Sequence, residues 1–257
     1  MTDGGASPMK RIACVLLILV FFILPALADP LPLLEDYAVD ISEPYDENDP
    51  SAGTFVFSCR YPHADETAEG AAGINAFYEY DLDDTVLNMV PMLQDAFEGT
   101  DYSMTTTYEV TCNNDDYFSV LIRTEKKWAD HLRTGWKGQV FSRKQGMGAT
   151  CTLPTLLGIL APDENEEWIQ DYKNKEAETL VRKMVWEMIE DYDGEYDLSE
   201  LTEEYLEALF FPAEDFYLDE NGDPVFYLQP EDVLPELPEN VQLITFPISL
   251  EDLLDEL

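Results

Sequence analysis

Basic residues are scarce in this chain: 14 Lys and Arg stand against 54 Asp and Glu, a formal net charge of −40. Nucleic acid is therefore not an expected partner, because phosphate contacts need a basic footprint. Histidine is scarcer still. His63 and His131 are the only two, far apart and with no partner at metal-ligand spacing, so no zinc site is expected. No Gly-x-Ser-x-Gly or His-Glu-x-x-His motif occurs. In a chain this acidic, a pair of carboxylates is no catalytic signal. The longest apolar run, Ile12 to Leu24, falls short of the roughly 20 residues that span a bilayer. What the chain does have is aromatic residues: 14 Tyr, 13 Phe and 4 Trp are too many for an unfolded acidic polymer. The reading is a folded domain with a strongly negative field, whose natural complement is a basic protein or a cation.

The N-terminus reads as a targeting segment. Lys10 and Arg11 precede the apolar run, and Ala26-Leu27-Ala28 closes it, the pattern of a secretory signal peptide over residues 1–28, cut after Ala28. A membrane partner is expected only if that segment stays uncleaved. Residues 29–51 carry Pro30, Pro32, Pro44 and Pro50 among many carboxylates, with no sustained period, and read as an acidic linker. The remainder divides into an N-terminal α+β module, 52–160, and a C-terminal helix-plus-meander module, 161–257, packed on the first. The expected fold class is α+β, with antiparallel strands packed against a long helix in each half.

In the first module Thr54 to Tyr61 reads as a strand with Phe55, Phe57, Cys59 and Tyr61 on one face. A helix follows, carrying Ile74, Phe77, Tyr78, Met89, Leu93 and Phe97. Pro91 should kink or split it, and Gly99 closes it. Strands are expected over Tyr102–Cys112, Tyr117–Thr124 and Trp136–Arg143, with His131 in a loop. The second module opens with a helix from about Asp163 to Asp191, whose expected buried stripe is Trp168, Tyr172, Leu180, Met184 and Met188. Asp197-Leu198-Ser199-Glu200 has the form of a capping box for a short helix through Leu209. Three short β-type runs come next: Phe216–Leu218, Val225–Leu228 and Val241–Phe246. The first two are joined by Asp219 to Pro224, whose Asn221-Gly222 suits a tight reversal. Asp219-x-Asn221-Gly222 looks like part of a calcium loop, but Tyr217 and Leu228 would occupy its first and twelfth positions, so a hairpin turn is expected.

Cys14 leaves with the leader, and Cys59, Cys112 and Cys151 remain. In an oxidising compartment one pair among the three forms a disulfide, or all stay as buried thiols. One stretch breaks the acidic pattern: Arg123, Lys126, Lys127, Arg133, Lys137, Arg143 and Lys144, interleaved with Trp128, Trp136 and Phe141. It reads first as an exposed hairpin whose charges pair with surrounding carboxylates. The second reading is a contact site for a glycan or an anionic ligand.

The order of elements, with Tyr61-Pro62, Ile74-Asn75, Gly148 to Leu153 and the Phe216-Tyr217-Leu218 / Phe226-Tyr227-Leu228 pair ahead of Pro247, resembles a family of unknown-function domains. That family forms the extracytoplasmic half of the anti-sigma-V factor. The resemblance implies a paired module that senses lysozyme, related modules preceding polysaccharide deacetylase domains. Only eight residues precede Met9 and no second domain follows Leu257, so neither sigma-factor signalling nor deacetylation is expected. A secreted or cell-envelope ligand-binding domain without catalysis is expected, with a basic protein such as lysozyme as partner and no cofactor. Trp128, Trp136, Phe216, Tyr217, Phe226 and Tyr227 are the candidate contact residues. The alternative is a wall-associated hydrolase fragment acting on peptidoglycan through carboxylates.

Overall fold

The computed structural model describes residues 30–144, 147–159, 167–234, 236–238 and 241–257, the side chains of 50 and 167–170 excepted. The leader and the N-terminal end of the long second-half helix, with Trp168, lie outside the described side chains.

Alternation of apolar and polar residues builds the first sheet. In β2 (Thr54–Tyr61) Phe55, Phe57, Cys59 and Tyr61 are buried and their neighbours are not, as the period of two requires. The sheet has six strands in sequence order: β1 (Tyr37–Pro44), β2, β3 (Tyr102–Asn113), β4 (Tyr117–Trp128), β5 (His131–Ser142) and β6 (Ala149–Thr150). Neighbours pair antiparallel except β2 and β3, which run parallel, Phe55 opposite Tyr102. The fold is α+β as expected, but the sheet is mixed. A parallel pair needs a crossover, and the helical stretch between those strands supplies it.

That crossover is α1 (Ala71–Asp84), a π turn over Thr85–Met89, and α2 (Val90–Ala96). Pro91 neither breaks nor splits it. The Val90 N–H donates to the Thr85 carbonyl five residues back, so the helix widens by one residue where the proline ring would otherwise strike the preceding turn. Gly99, at φ +85°, ends the stretch. The inner face lays Ile74, Tyr78, Leu82 and Val90 against Phe55, Phe57, Phe118, Val120, Ile122 and Phe141, forming the first core.

The acidic segment read as a linker is part of this module. β1 lies within it and pairs with β2 along its full length, Tyr37 opposite Tyr61. Ahead of it Leu31 is buried, its N–H and C=O held by the two ends of the Asn113 amide at 2.6 and 3.0 Å. Tyr37 stacks on His63, ring centroids 4.3 Å apart. Prolines and carboxylates mask the strand in sequence because an edge strand tolerates both.

The second core joins α3 (Leu153–Leu156), α4 (Glu167–Glu190), α5 (Glu203–Leu209) and a three-stranded antiparallel sheet. Its strands are β7 (Phe216–Leu218), β8 (Pro224–Leu228) and β9 (Ile244–Pro247), with a short α6 (Pro230–Val233) between the last two and α7 (Leu250–Glu256) after them. α4 buries Ala177, Val181, Val185 and Ile189, while Met184 and Met188 are only half-buried and Tyr172 is 64% exposed. The expected stripe is thus displaced around the helix by about one residue. Ala177, Val181, Val185 and Ile189 join the second core, and Met184 and Met188 pack against it. Thr202 caps α5, its hydroxyl accepting the Tyr205 N–H. Asp197 instead closes a turn by accepting from Ser199 N–H, so the expected capping box belongs to the loop.

The two sheets meet along β4 and β5, at β5 through closely fitted main chain. A Cβ on Gly138 would stand 2.0 Å from the Phe216 carbonyl oxygen, so only glycine fits. The Gly138 N–H donates to the Tyr227 hydroxyl at 2.9 Å, and the Ser119 hydroxyl accepts the Leu218 N–H at 3.0 Å. The Gln229 amide takes the Trp136 N–H at 3.1 Å and donates to the Trp136 C=O at 2.7 Å, doing for the edge of β5 what a neighbouring strand would do.

Candidate functional site

The β4–β5 hairpin carries most of the unusual chemistry. Trp128 pairs with His131 across a two-residue turn, Ala129-Asp130, and Ala129 takes φ +46°, the only positive φ outside glycine among the described residues. Tight hairpin turns need such angles, usually from Asn or Gly. Their absence hid the turn in the sequence, so His131, expected in a loop, opens β5. Its ring lies 5.3 Å from Trp128, which continues through Phe97, Tyr102 and Phe55 as a row of aromatic contacts.

The register across the turn puts Lys126 opposite Arg133 and Ile122 opposite Lys137. With Thr124, Gly135 and the floor residues Met104 and Ile122, these side chains line a groove of about 350 Å³ that Glu231 of α6 closes at one side. Arg133 donates toward Glu231 at 3.1 Å and its guanidinium lies 5.9 Å from the Trp128 ring centroid. The other cations of the basic run are used elsewhere. Arg123 pairs with Glu125 at 3.0 Å, and Lys144 pairs with Asp116 and lies over the Tyr117 ring. Arg143 is buried and donates to the Glu69 and Asn114 carbonyls. Lys127 lies in a separate pocket beside Ser103 and Asp101. Alternation about the turn would have grouped Lys126, Arg133 and Lys137 from sequence had the turn been visible. Nothing local points to Glu231.

The structure separates the candidate contact residues. Trp128 and Trp136 are half-buried beside the groove. Phe216, Phe226 and Tyr227 are at most 3% exposed, so they form the core and cannot meet a partner. Tyr217 is half-buried, stacked on Tyr227. A meander that must cover both α4 and β5 has no aromatic face left over.

A second surface lies on the outer side of the crossover helix. Tyr80, Leu87 and Met92 are 75%, 72% and 70% exposed. Glu79, Asp83, Asp84 and Asp95 are exposed among them.

The remaining candidates resolve as structure. Cys59, Cys112 and Cys151 are free and buried, and burial pushes each thiol up to about 11, which disfavours the reactive thiolate. Cys59 and Cys112 are too far apart to pair. Cys59 sits opposite Thr106, six residues along β3 from Cys112, about 20 Å at strand rise, and a disulfide needs Cα atoms within about 7 Å. The Asp219 carboxylate accepts the Asn221 and Asp223 N–H groups, and Gly222 has φ +89°: the calcium-like stretch is a hairpin turn. No cluster of three or more His, Cys, Asp or Glu suited to a metal occurs among the described residues, and no described helix is long and apolar enough to cross a membrane.

The chain is similar in fold to a crystal structure of a DUF3298 family protein from Pseudomonas aeruginosa PAO1. That likeness has a TM-score of 0.50 at 14% identity over 89% of this chain and 94% of that one. At that identity the likeness is one of fold alone. A member of the same family from Bacteroides fragilis aligns at TM-score 0.48 and 11% identity, over 87% and 93%. DUF3298 denotes a domain of unknown function. No family model and no curated protein matches the sequence.

Proposed function

We propose that this chain is a secreted or cell-envelope binding domain, not an enzyme, that receives a basic protein on the outer face of its crossover helix. Lysozyme is the candidate partner that the resemblance to the anti-sigma-V extracytoplasmic domain names. One observation carries the reading: three large apolar side chains, Tyr80, Leu87 and Met92, stand out to solvent in a setting of carboxylates. Such a face suits a partner with apolar anchors ringed by Lys and Arg. Apolar contact would supply the short-range attraction, and the net charge of −40 would speed the encounter.

Two variant sets separate these contributions. Neutralising Asp83, Asp84 and Asp95 to Asn should slow association with lysozyme and leave dissociation nearly unchanged. Changing Tyr80, Leu87 and Met92 to Ser should speed dissociation by about tenfold or more, a loss of roughly 1.4 kcal/mol. Both sets lie on the exposed face and should leave the fold intact. Unchanged kinetics in the second set would remove the crossover helix as the contact surface.

A further inference from the structure

The groove on the β4–β5 hairpin asks for a ligand of opposite sign to the partner above. In a molecule with nearly four carboxylates for each cation, side-chain ammonium groups should be drawn into ion pairs. Among the described residues neither Lys126 nor Lys137 has a carboxylate within ion-pair distance, yet both border the same groove. Gly135 lies between them on that face, and a Cβ added there would meet no atom within 4 Å, so the space above the strand is open. The floor is apolar, from Met104 and Ile122, and the Thr124 hydroxyl stands at the side, 3.2 Å from that of Thr106. A volume of about 350 Å³ is at the small end of ligand pockets.

We infer that this groove binds a small multiply charged anion, its phosphate or carboxylate groups held by Lys126, Lys137 and Arg133, and that Glu231 is a tethered competitor for Arg133. The guanidinium fork already holds one carboxylate, that of Glu231 at 3.1 Å, and a phosphate or carboxylate fits the same fork. Because Glu231 lies in the first turn of α6, in the connection between β8 and β9, an anion that displaces it frees α6 from β5 at that point. The groove thereby couples occupancy to the contact between the two halves. It uses no residue of the crossover helix, so the basic-protein reading can fail while this one stands.

The test is titration of the ¹⁵N-labelled full chain with inorganic pyrophosphate and, separately, citrate, followed by amide chemical shifts. Saturable shifts at Lys126, Gly135 and Lys137 are expected with at least one probe, and the preferred probe tells phosphate from carboxylate chemistry. Glu231→Gln should tighten binding several-fold. Lys126→Gln with Lys137→Gln should weaken it at least about tenfold. Gly135→Val, which fills the open space without altering charge, should abolish it while the remaining spectrum stays in place. Shifts that never saturate, or that the three variants leave unchanged, would overturn the assignment and reduce the groove to a solvated hairpin face.

Discussion

Asp215 holds a carboxylate where burial opposes its charge. Desolvation, with Glu214 and Asp232 nearby, pushes its pKa from 3.8 up to about 6, although the carboxylate accepts the Phe211 N–H at 2.7 Å. Between those values the folded chain keeps a proton that the unfolded chain has released. This group therefore favours folding most below about pH 4, and its contribution is lost as pH rises through about 6. Asp215→Asn keeps an oxygen for Phe211 and removes the titration. Relative to wild type, its urea midpoint should rise between about pH 4 and about pH 7, and an offset equal at both would contradict this. Phe226 tests the core. It is fully buried between Phe210 and Phe216, and Phe226→Ala should cost about 3–5 kcal/mol in denaturant unfolding. A loss below about 1 kcal/mol would mean the site closes over the deletion.

Among elements, the junction of β5 with the meander is the most constrained. Gly138→Ala should force the Phe216 carbonyl away from β5, breaking its fit with the Tyr227 and Gln229 bridges. Overpacking usually costs about 1–3 kcal/mol, and a main-chain obstacle puts this case at the upper end. Hydrogen exchange should then show β7 and β8 losing protection before β2 and β3; a uniform loss would argue against the junction as a seam. Strands with apolar alternation, such as β2, and the Asn221-Gly222 hairpin were legible in sequence because each is specified by its own residues. β1 was not, since none of its residues is fully buried and its pairing depends on β2 arriving beside it. The α4 stripe was read one residue off because Met and Val both count as apolar, and only packing decides which points inward. The groove escaped because its turn uses Ala129 in place of glycine and its fourth charged member comes from α6.

For the molecule as a whole, one sign of charge dominates and the apolar exposure on the crossover helix lies within it. The central claim, that this surface receives a specific basic protein, is tested most directly by surface plasmon resonance of the full chain against lysozyme across salt, with cytochrome c as a basic control. The Debye length shrinks from about 30 Å at 0.01 M to about 8 Å at 0.15 M, so the association rate should fall steeply over that range. The dissociation rate should change little, because it reports short-range packing, and lysozyme should still bind at about 0.15 M salt when cytochrome c does not. Equal binding of both proteins, vanishing by about 0.15 M, would contradict the claim and leave only non-specific attraction to an acidic surface.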